Sequence, residues 1–304
     1  MNSSLHVLVL GSEGFIGSHA VKYFLSKNYK VTGADLLPAT SLPVSYFSLV
    51  DEKNSYRSIF SNHQFDVCIN AAGSGNVGLS MIKPLFDFES NTLQVLQVLD
   101  AIRLFQPACK FILISSAAVY GNPLSLPVNE DHQVQPLSPY GWHKCMAENI
   151  CREFTQLYHI GTAITRPFSV YGSGLRKQLF WDMYQKYKSC NGTIELWGTG
   201  NESRDFIYIS DLCYCFDVII NQSPFQADVY NIASGIETTV KQAATLLFKE
   251  LDSNVSIGFN KKINEGNPLN WKADISAIQK LGFQSSIIFE EGIKKLSEWL
   301  RNQN

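Results

Sequence analysis

Three side chains have the types and spacing of a proton relay. Ser116 follows the apolar run 111–114, and Tyr140 and Lys144 stand further along in Ser138-Pro-Tyr140-Gly-Trp-His-Lys144. A free tyrosine has a pKa near ~10 and is a poor base at neutral pH, so a neighbouring lysine cation is needed to favour its phenolate. The i to i+4 spacing puts Tyr140 and Lys144 on one helix face. Ser116, on a separate segment, can hydrogen-bond the same substrate oxygen and hold it against the phenol. Such a set moves a proton to or from a hydroxyl and is not a nucleophile triad.

Tyr-x-x-x-Lys on its own is a weak signal, because it recurs at Tyr23/Lys27 and Tyr184/Lys188. The first of these falls inside an expected helix and the second in a polar stretch with no serine-bearing strand before it. Both read as solvated helix faces.

The elements that must position the relay follow from periodicity. Short apolar runs predict strands at 5–10, 30–34, 66–70, 110–115 and 161–166, and helical patterns fall at 14–27, 79–105 and 140–158. This alternation predicts parallel strands joined by crossover helices. Gly11-Ser-Glu-Gly14-Phe15-Ile16-Gly17 closes the first strand and opens the first helix. Its glycines permit a tight turn and close backbone approach, and the helix N-terminus offers free N–H groups to a pyrophosphate. Asp35 ends the second strand, where a carboxylate accepts from adenosine ribose hydroxyls and repels a 2′-phosphate. No arginine occurs in the following Leu36-Leu-Pro38, which favours NAD over NADP. The expected fold is α/β, a Rossmann-type doubly wound parallel sheet with a smaller, mixed α/β C-terminal domain. Residues 1–167 form the expected NAD-binding domain. Residues 168–304, richer in loops, glycines and aromatics, form mainly a substrate-binding domain with some segments returning to the core, and helices are expected there at 239–251 and 290–301.

Composition narrows the function classes. The 304 residues carry a net charge of −2 with no basic stripe, which argues against nucleic acid. The seven cysteines show neither a Cys-x-x-Cys pair nor metal-ligand spacing, as expected of reduced thiols, and no metal is expected. No signal-peptide pattern precedes the first strand and no apolar stretch approaches the ~20 residues needed to span a membrane. A soluble, cytoplasmic protein is the expectation.

With glycine turn, acidic strand end, Ser115-Ser116-Ala-Ala-Val-Tyr-Gly121 and Tyr140/Lys144 in this order, the chain resembles the extended short-chain dehydrogenase/reductases, specifically the nucleotide-sugar epimerases and dehydratases. The likeness continues through Arg166-Pro-Phe-Ser-Val-Tyr-Gly172, Arg204-Asp-Phe-Ile-Tyr-Ile-Ser-Asp211, Tyr230-Asn-Ile-Ala-Ser-Gly235 and Trp271-Lys-Ala-Asp274 with Leu281-Gly-Phe283. The resemblance implies Ser116, Tyr140 and Lys144 as the catalytic set, with Lys144 also holding the nicotinamide ribose. It implies a cofactor site of Gly11, Gly14, Phe15, Ile16, Gly17, Asp35, Leu36, Ala71, Ala72, Tyr140, Lys144 and Pro167. Arg204 would grip the substrate diphosphate, unless it pairs with Asp205 or another carboxylate. Trp197 would lie near the nucleotide base or in the core, and Ser116, Tyr140 and Ser169 near the sugar.

Three departures bear on the reaction. Dehydratases of this kind carry Asp-Glu directly after the serine, where this chain has Ala117 and Ala118; that argues against dehydration. Many relatives have asparagine where Ser169 stands and Arg-x-Gly-Asp where Asn264-Glu-Gly266-Asn267 stands, so Lys261, Lys262 or Arg176 would have to replace a diphosphate-binding arginine. The usual His-x-Ala-Ala reads Asn70-Ala-Ala72-Gly-Ser-Gly75. The expectation is an NAD-dependent nucleotide-sugar epimerase, at C4, with an NAD(P)H-dependent reductase of a nucleotide-linked 4-keto-6-deoxy sugar as alternative and a non-catalytic nucleotide-binding protein as a third reading. The helices at 79–105 and 140–158 suggest a homodimer on a four-helix bundle, as the family commonly has.

Overall fold

The computed structural model describes residues 5–39, 43–51, 53, 55–190, 192–251, 255–262 and 269–303. Its strands are β1 His6–Leu10, β2 Lys30–Asp35, β3 Ser45–Ser48, β4 Val67–Asn70, β5 Lys110–Ile114, β6 Thr162–Pro167, β7 Ser169–Tyr171, β8 Thr193–Leu196, β9 Ser203–Tyr208, β10 Gln226–Ile232, β11 Glu237–Thr239 and β12 Ser256–Phe259. The helices are α1 Phe15–Ser26, α2 Tyr56–Asn62, α3 Val77–Ile82, α4 Pro84–Phe88, α5 Gln94–Phe105, α6 Pro139–Tyr158, α7 Gln178–Ser189, α8 Ile209–Gln222, α9 Val240–Glu250, α10 Ser276–Lys280 and α11 Phe289–Arg301. None of these helices is long and apolar enough to cross a membrane.

Runs such as Val-Leu-Val-Leu in β1 and Phe-Ile-Leu-Ile in β5 are buried throughout, as strands covered on both faces must be. They build a seven-stranded sheet in the order β10-β6-β5-β4-β1-β2-β3, with every pairing parallel. The chain reverses its direction of travel across the sheet between β1 and β4, and the carboxyl ends of those strands open the crevice in which such sheets bind ligands. β10 returns from the second half of the chain to pair with β6, and α8 packs on α1, where Tyr23 and Tyr29 donate to Asp217 at 3.1 and 2.7 Å. Smaller sheets, β11-β9-β7 and β12-β8, are built from the second half of the chain.

The structure corrects several expectations. The helix expected over 79–105 is broken at Lys83, whose φ of −129° and ψ of 66° are non-helical because Pro84 follows. From Pro84 the chain runs continuously through α4, a π-helical turn at Glu89–Leu93 and α5. β3 and α2 were not foreseen. Tyr23 and Tyr184 are not on solvated faces: Tyr23 is partly buried against Asp217, and Tyr184, 5% exposed, donates to the Gln303 carbonyl.

α6 starts where Ser138 accepts a hydrogen bond from Gly141 N and Pro139 fills the first helical position. Gly141 is required there, since a Cβ would stand 2.7 Å from the Ala118 carbonyl oxygen. Further along α6 the Glu148 carboxylate, 1% exposed, receives Arg166 from β6 through Nε at 2.9 Å and Nη2 at 2.7 Å, Ser115 Oγ at 2.7 Å and Arg152 at 3.2 Å. Arg166 also donates to Tyr120 Oη at 2.8 Å and the Glu130 carbonyl at 3.0 Å. Glu148→Ala leaves a buried guanidinium without its anion and should cost about 3–5 kcal/mol in urea unfolding, whereas Arg152→Ala, which removes a half-exposed partner, should cost under ~1 kcal/mol. Equal small losses for both would show that the buried pair does not hold α6.

Candidate active site

A cleft of about 720 Å³ opens at the carboxyl ends of β1, β4 and β5 and extends to residues of β7, α7, β8 and β9. Its floor is built by close backbone approach. Gly11 has φ +74°, and a Cβ there would stand 2.6 Å from Ala72 N; a Cβ on Gly17 would stand 2.0 Å from the Gly11 carbonyl oxygen. α1 begins at Phe15 with no capping side chain and no acid in its first turn, so its N-terminal pole is left open beside the cleft. Gly14, Phe15, Ile16, Ala71, Ala72 and Pro167 line the cleft, while Gly11 and Gly17 support it from behind. Asp35 and Leu36 do not line it. Asp35 is tied to the glycine turn, accepting from Glu13 N at 2.8 Å and from Leu37 N at 3.0 Å, and Leu36 is exposed beside it.

The relay residues converge as expected. Ser116, Tyr140 and Lys144 all face the cleft. Ser116 caps a short 3₁₀ turn, its Oγ accepting from Ala118 N at 3.1 Å. Tyr140 Nα donates to Ser80 Oγ at 3.2 Å. Lys144, buried, donates from Nζ to the Ile114 carbonyl at 2.9 Å and lies 5.9 Å from the centre of the Tyr140 ring. Burial raises the Tyr140 pKa, a hydrogen bond with Ser116 opposes that rise, and the Asp87 charge adds to it. Burial likewise lowers Lys144 to about 8, against the opposing pull of Asp87 and Glu148.

From the second half of the chain, Ser169, Trp197 and Arg204 line the same cleft. Arg204 does not pair with Asp205. Its Nη1 donates to the carbonyls of Ser203 at 2.7 Å and Leu269 at 3.1 Å, its guanidinium lies 5.7 Å from the Trp271 ring, and burial lowers its pKa to about 10. Asp205 points the other way, accepting from Ser234 N, Ser234 Oγ and Ala273 N at 2.9–3.0 Å. Trp197 is half exposed, so it is not a core residue. Arg176, Lys261 and Lys262 are absent from the cleft wall; Arg176 donates to Gln303 Oε1 at 2.7 Å. The stretch Asn264–Asn267 lies outside the described residues.

Sequence reasoning missed Lys177, which does line the cleft, and a buried pair behind the relay. His143 Nδ1 and Asp87 Oδ2 are 2.7 Å apart, with Asp87 only 1% exposed and its Oδ1 without a hydrogen-bond partner among the described residues. The signal for Asp87 was Pro84: by restarting the helix there, it sets which face turns inward.

The model of the NAD dependent epimerase/dehydratase family matches residues 7–233. A putative UDP-glucose 4-epimerase of Methanocaldococcus jannaschii is 30% identical over 98% of this chain and 99% of its own. The bovine dTDP-D-glucose 4,6-dehydratase is 26% identical over 97% of this chain and 88% of its own. Among solved structures, a UDP-N-acetylglucosamine 4-epimerase from Methanobrevibacter ruminantium, in complex with UDP-N-acetylmuramic acid, superposes with a TM-score of 0.89 over 99% of this chain and 100% of its own at 24% identity; that likeness speaks for the fold.

If burial governs Lys144, its amine is protonated below about pH 8 and neutral above it. Lysine-amine NMR should show one resonance titrating near pH 8, well under the ~10.4 of exposed lysines, and missing from Lys144→Met. Titration of that resonance with the bulk lysines would mean that Asp87 and Glu148 fully offset desolvation.

Proposed function

The chain belongs to the NAD-dependent epimerase/dehydratase family, and from that membership we propose that it is a nucleotide-sugar epimerase acting at the sugar C4, with NAD retained in the cleft. The observation that carries this reading is the convergence of Ser116, Tyr140 and Lys144 in one cleft with Arg204, which has no ion pair among the described residues, while the two positions after the serine are Ala117 and Ala118.

The residues present fit NAD. The glycine turn, packed so closely on Ala71 and Ala72 that a Cβ at Gly11 would clash with their backbone, and the open pole of α1 would hold the pyrophosphate. Asp35, beside Leu36, would accept the adenosine ribose hydroxyls; Ala71, Ala72, Lys144 and Pro167 would surround the nicotinamide end. When bound, NAD supplies the acceptor and donor of hydride.

The chain's own residues do the rest. Tyr140 takes the proton of the sugar C4 hydroxyl while Ser116 holds the same oxygen. Lys144, as a cation, offsets the cost of a phenolate that burial has made expensive. After the keto-sugar turns over and presents the other face of C4, the same phenol returns the proton to the C4 oxygen. Elimination of water would need an additional acid and base, and alanine methyls supply neither. Arg204 grips the diphosphate with its guanidinium fork, Trp197 stacks on the base, and Ser169 faces the sugar. In this reading residues 1–167 carry the NAD site and 168–304 mainly the substrate site. The seven cysteines, all free, accord with a reducing cytoplasm.

A homodimer completes the proposal. α4, α5 and α6 lie side by side and expose Leu85, Phe86 and Leu96 together with Trp142 and Met146, an apolar face suited to a four-helix bundle with a second copy. Light scattering should give twice the 34.1 kDa chain mass, falling to the monomer in a Phe86→Glu/Leu96→Glu variant. A monomer at micromolar concentration would remove the dimer from the proposal.

Two measurements test the chemistry. Purified protein should interconvert a C4-epimeric pair of nucleotide sugars with no added reduced cofactor; a requirement for NADPH or NADH would assign it instead to keto-sugar reduction. Tyr140→Phe should lower turnover roughly 10²–10⁴-fold while leaving NAD binding intact, because only proton transfer is lost. Near-normal turnover would take Tyr140 out of the mechanism.

A further inference from the structure

We propose that Lys177 is a phosphate-binding residue that reaches across the cleft from the second half of the chain, its ammonium pairing with a diphosphate oxygen of a bound nucleotide. The assignment rests on the reading of the cleft as a site for a dinucleotide and a nucleotide diphosphate. It goes beyond that reading in naming a cation that neither motif nor spacing marked.

The placement comes from the chain around it. The segment leading to Lys177 crosses over the start of α1: a Cβ on Gly174 would lie 3.5 Å from His19 Cε1 and 3.8 Å from Phe15 Cδ2. It is pinned on its outer side by Ser173 Oγ to the Lys295 carbonyl at 3.4 Å and by Arg176 to Gln303 at 2.7 Å. Arg176 is thus drawn outward to the C-terminal end, and Lys177 is the neighbour left to face the cleft, where it joins Phe15, Ile16 and Gly75 in the lining.

On the far wall, the Lys177 ammonium lies 3.7 Å from where a Cβ on Gly75 would stand. Gly75 has an ordinary φ, and a Cβ there would meet the ammonium at ordinary contact distance, so Lys177 reaches the opposite wall of the cleft. Gln178, at φ +66°, then turns the chain into α7, whose first turn has no capping side chain and whose residues Gln178, Leu179 and Phe180 also line the cleft.

Charge counting singles out the same residue. Lys144, Lys177, Asp182 and Arg204 are the charged side chains of the lining among the described residues. Asp182 is paired with Lys186 at 3.2 Å, and Lys144 is committed to the Ile114 carbonyl. No carboxylate lies within ion-pair distance of Lys177 among the described residues. A diphosphate carries more negative charge than Arg204 alone can match, and a flexible ammonium serves as the second point charge.

Either the cofactor's pyrophosphate or the substrate's diphosphate presents these oxygens, and calorimetry separates them. NAD and UDP are titrated separately into protein stripped of nucleotide, as wild type, Lys177→Ala, Lys177→Gln and Lys177→Arg, with melting curves confirming that each variant folds. Loss of the ammonium should weaken one ligand about ten-fold, with Lys177→Arg largely restoring it. A loss with NAD assigns the residue to the cofactor, a loss with UDP to the substrate diphosphate, and either supports the proposal. Unchanged affinity for both overturns it. Failure of the wild type to bind either ligand would overturn the reading of the cleft itself, and the assignment with it.

Discussion

A carboxylate buried between a helix and the ends of two strands sets the geometry on which this site depends. Glu148 lies one turn beyond Lys144 on α6, and its oxygens are taken by Arg166 of β6 and by Ser115, the residue that leaves β5. Ser115 is bonded to Ser116 by a peptide unit, so one carboxylate fixes both halves of the relay: the serine through its neighbour, the tyrosine and lysine through the helix. Removing either partner would strand a charge in a medium that cannot solvate it, which makes the arrangement costly to loosen. The same charge opposes the drop in pKa that burial imposes on Lys144.

A second constraint is the distance of backbone approach under the cleft. Gly11 and Gly17 bring the turn after β1 against the strand end of β4 more closely than any side chain permits, and Asp35 accepts from the N–H of Glu13 within that turn. Three strand ends are therefore locked together at the point where the sheet reverses direction. In the second half of the chain the alternation of a strand does comparable work. Asp205 and Arg204 are adjacent on β9 and point to opposite faces. Asp205, fully buried and with its pKa raised to about 6 by that burial, ties down Ser234 and Ala273, and Arg204 is turned to the cleft with no ion pair among the described residues.

Most of this was legible because it rests on local rules. A strand followed by glycines and a helix, an acid at the end of the next strand and an i to i+4 tyrosine–lysine pair each report on a few consecutive residues, and the family resemblance ordered them. What escaped needed tertiary information. β3 and α2 are short and only partly apolar, so periodicity did not lift them out of the surrounding loops. Pro84 was a visible breaker, yet the apolar pattern on both sides of it read as one helix. Tyr184 looked exposed in a polar stretch until its hydroxyl was found on the Gln303 carbonyl, more than a hundred positions away. Lys177 sits beside Arg176, and only the path of the chain tells which of the two turns inward.

The break at Pro84 has a consequence for the chemistry. By starting a new helix there, it gives α4 two faces: Leu85 and Phe86 outward, Asp87 inward against His143 and within electrostatic reach of Tyr140 and Lys144. The Asp87 charge raises the pKa of both relay groups, favouring the lysine cation and disfavouring the phenolate. Desolvation pushes the phenol in the same direction and the lysine in the other, so Asp87 keeps Lys144 charged at the expense of a harder proton abstraction. The helix that carries this carboxylate also presents the apolar face proposed to meet a second copy. Packing there would remove water from around α4, and in a lower local dielectric the Asp87 field at the relay strengthens. In the proposed dimer, association and proton transfer would share one structural element, joined by a carboxylate whose second oxygen has no hydrogen-bond partner among the described residues.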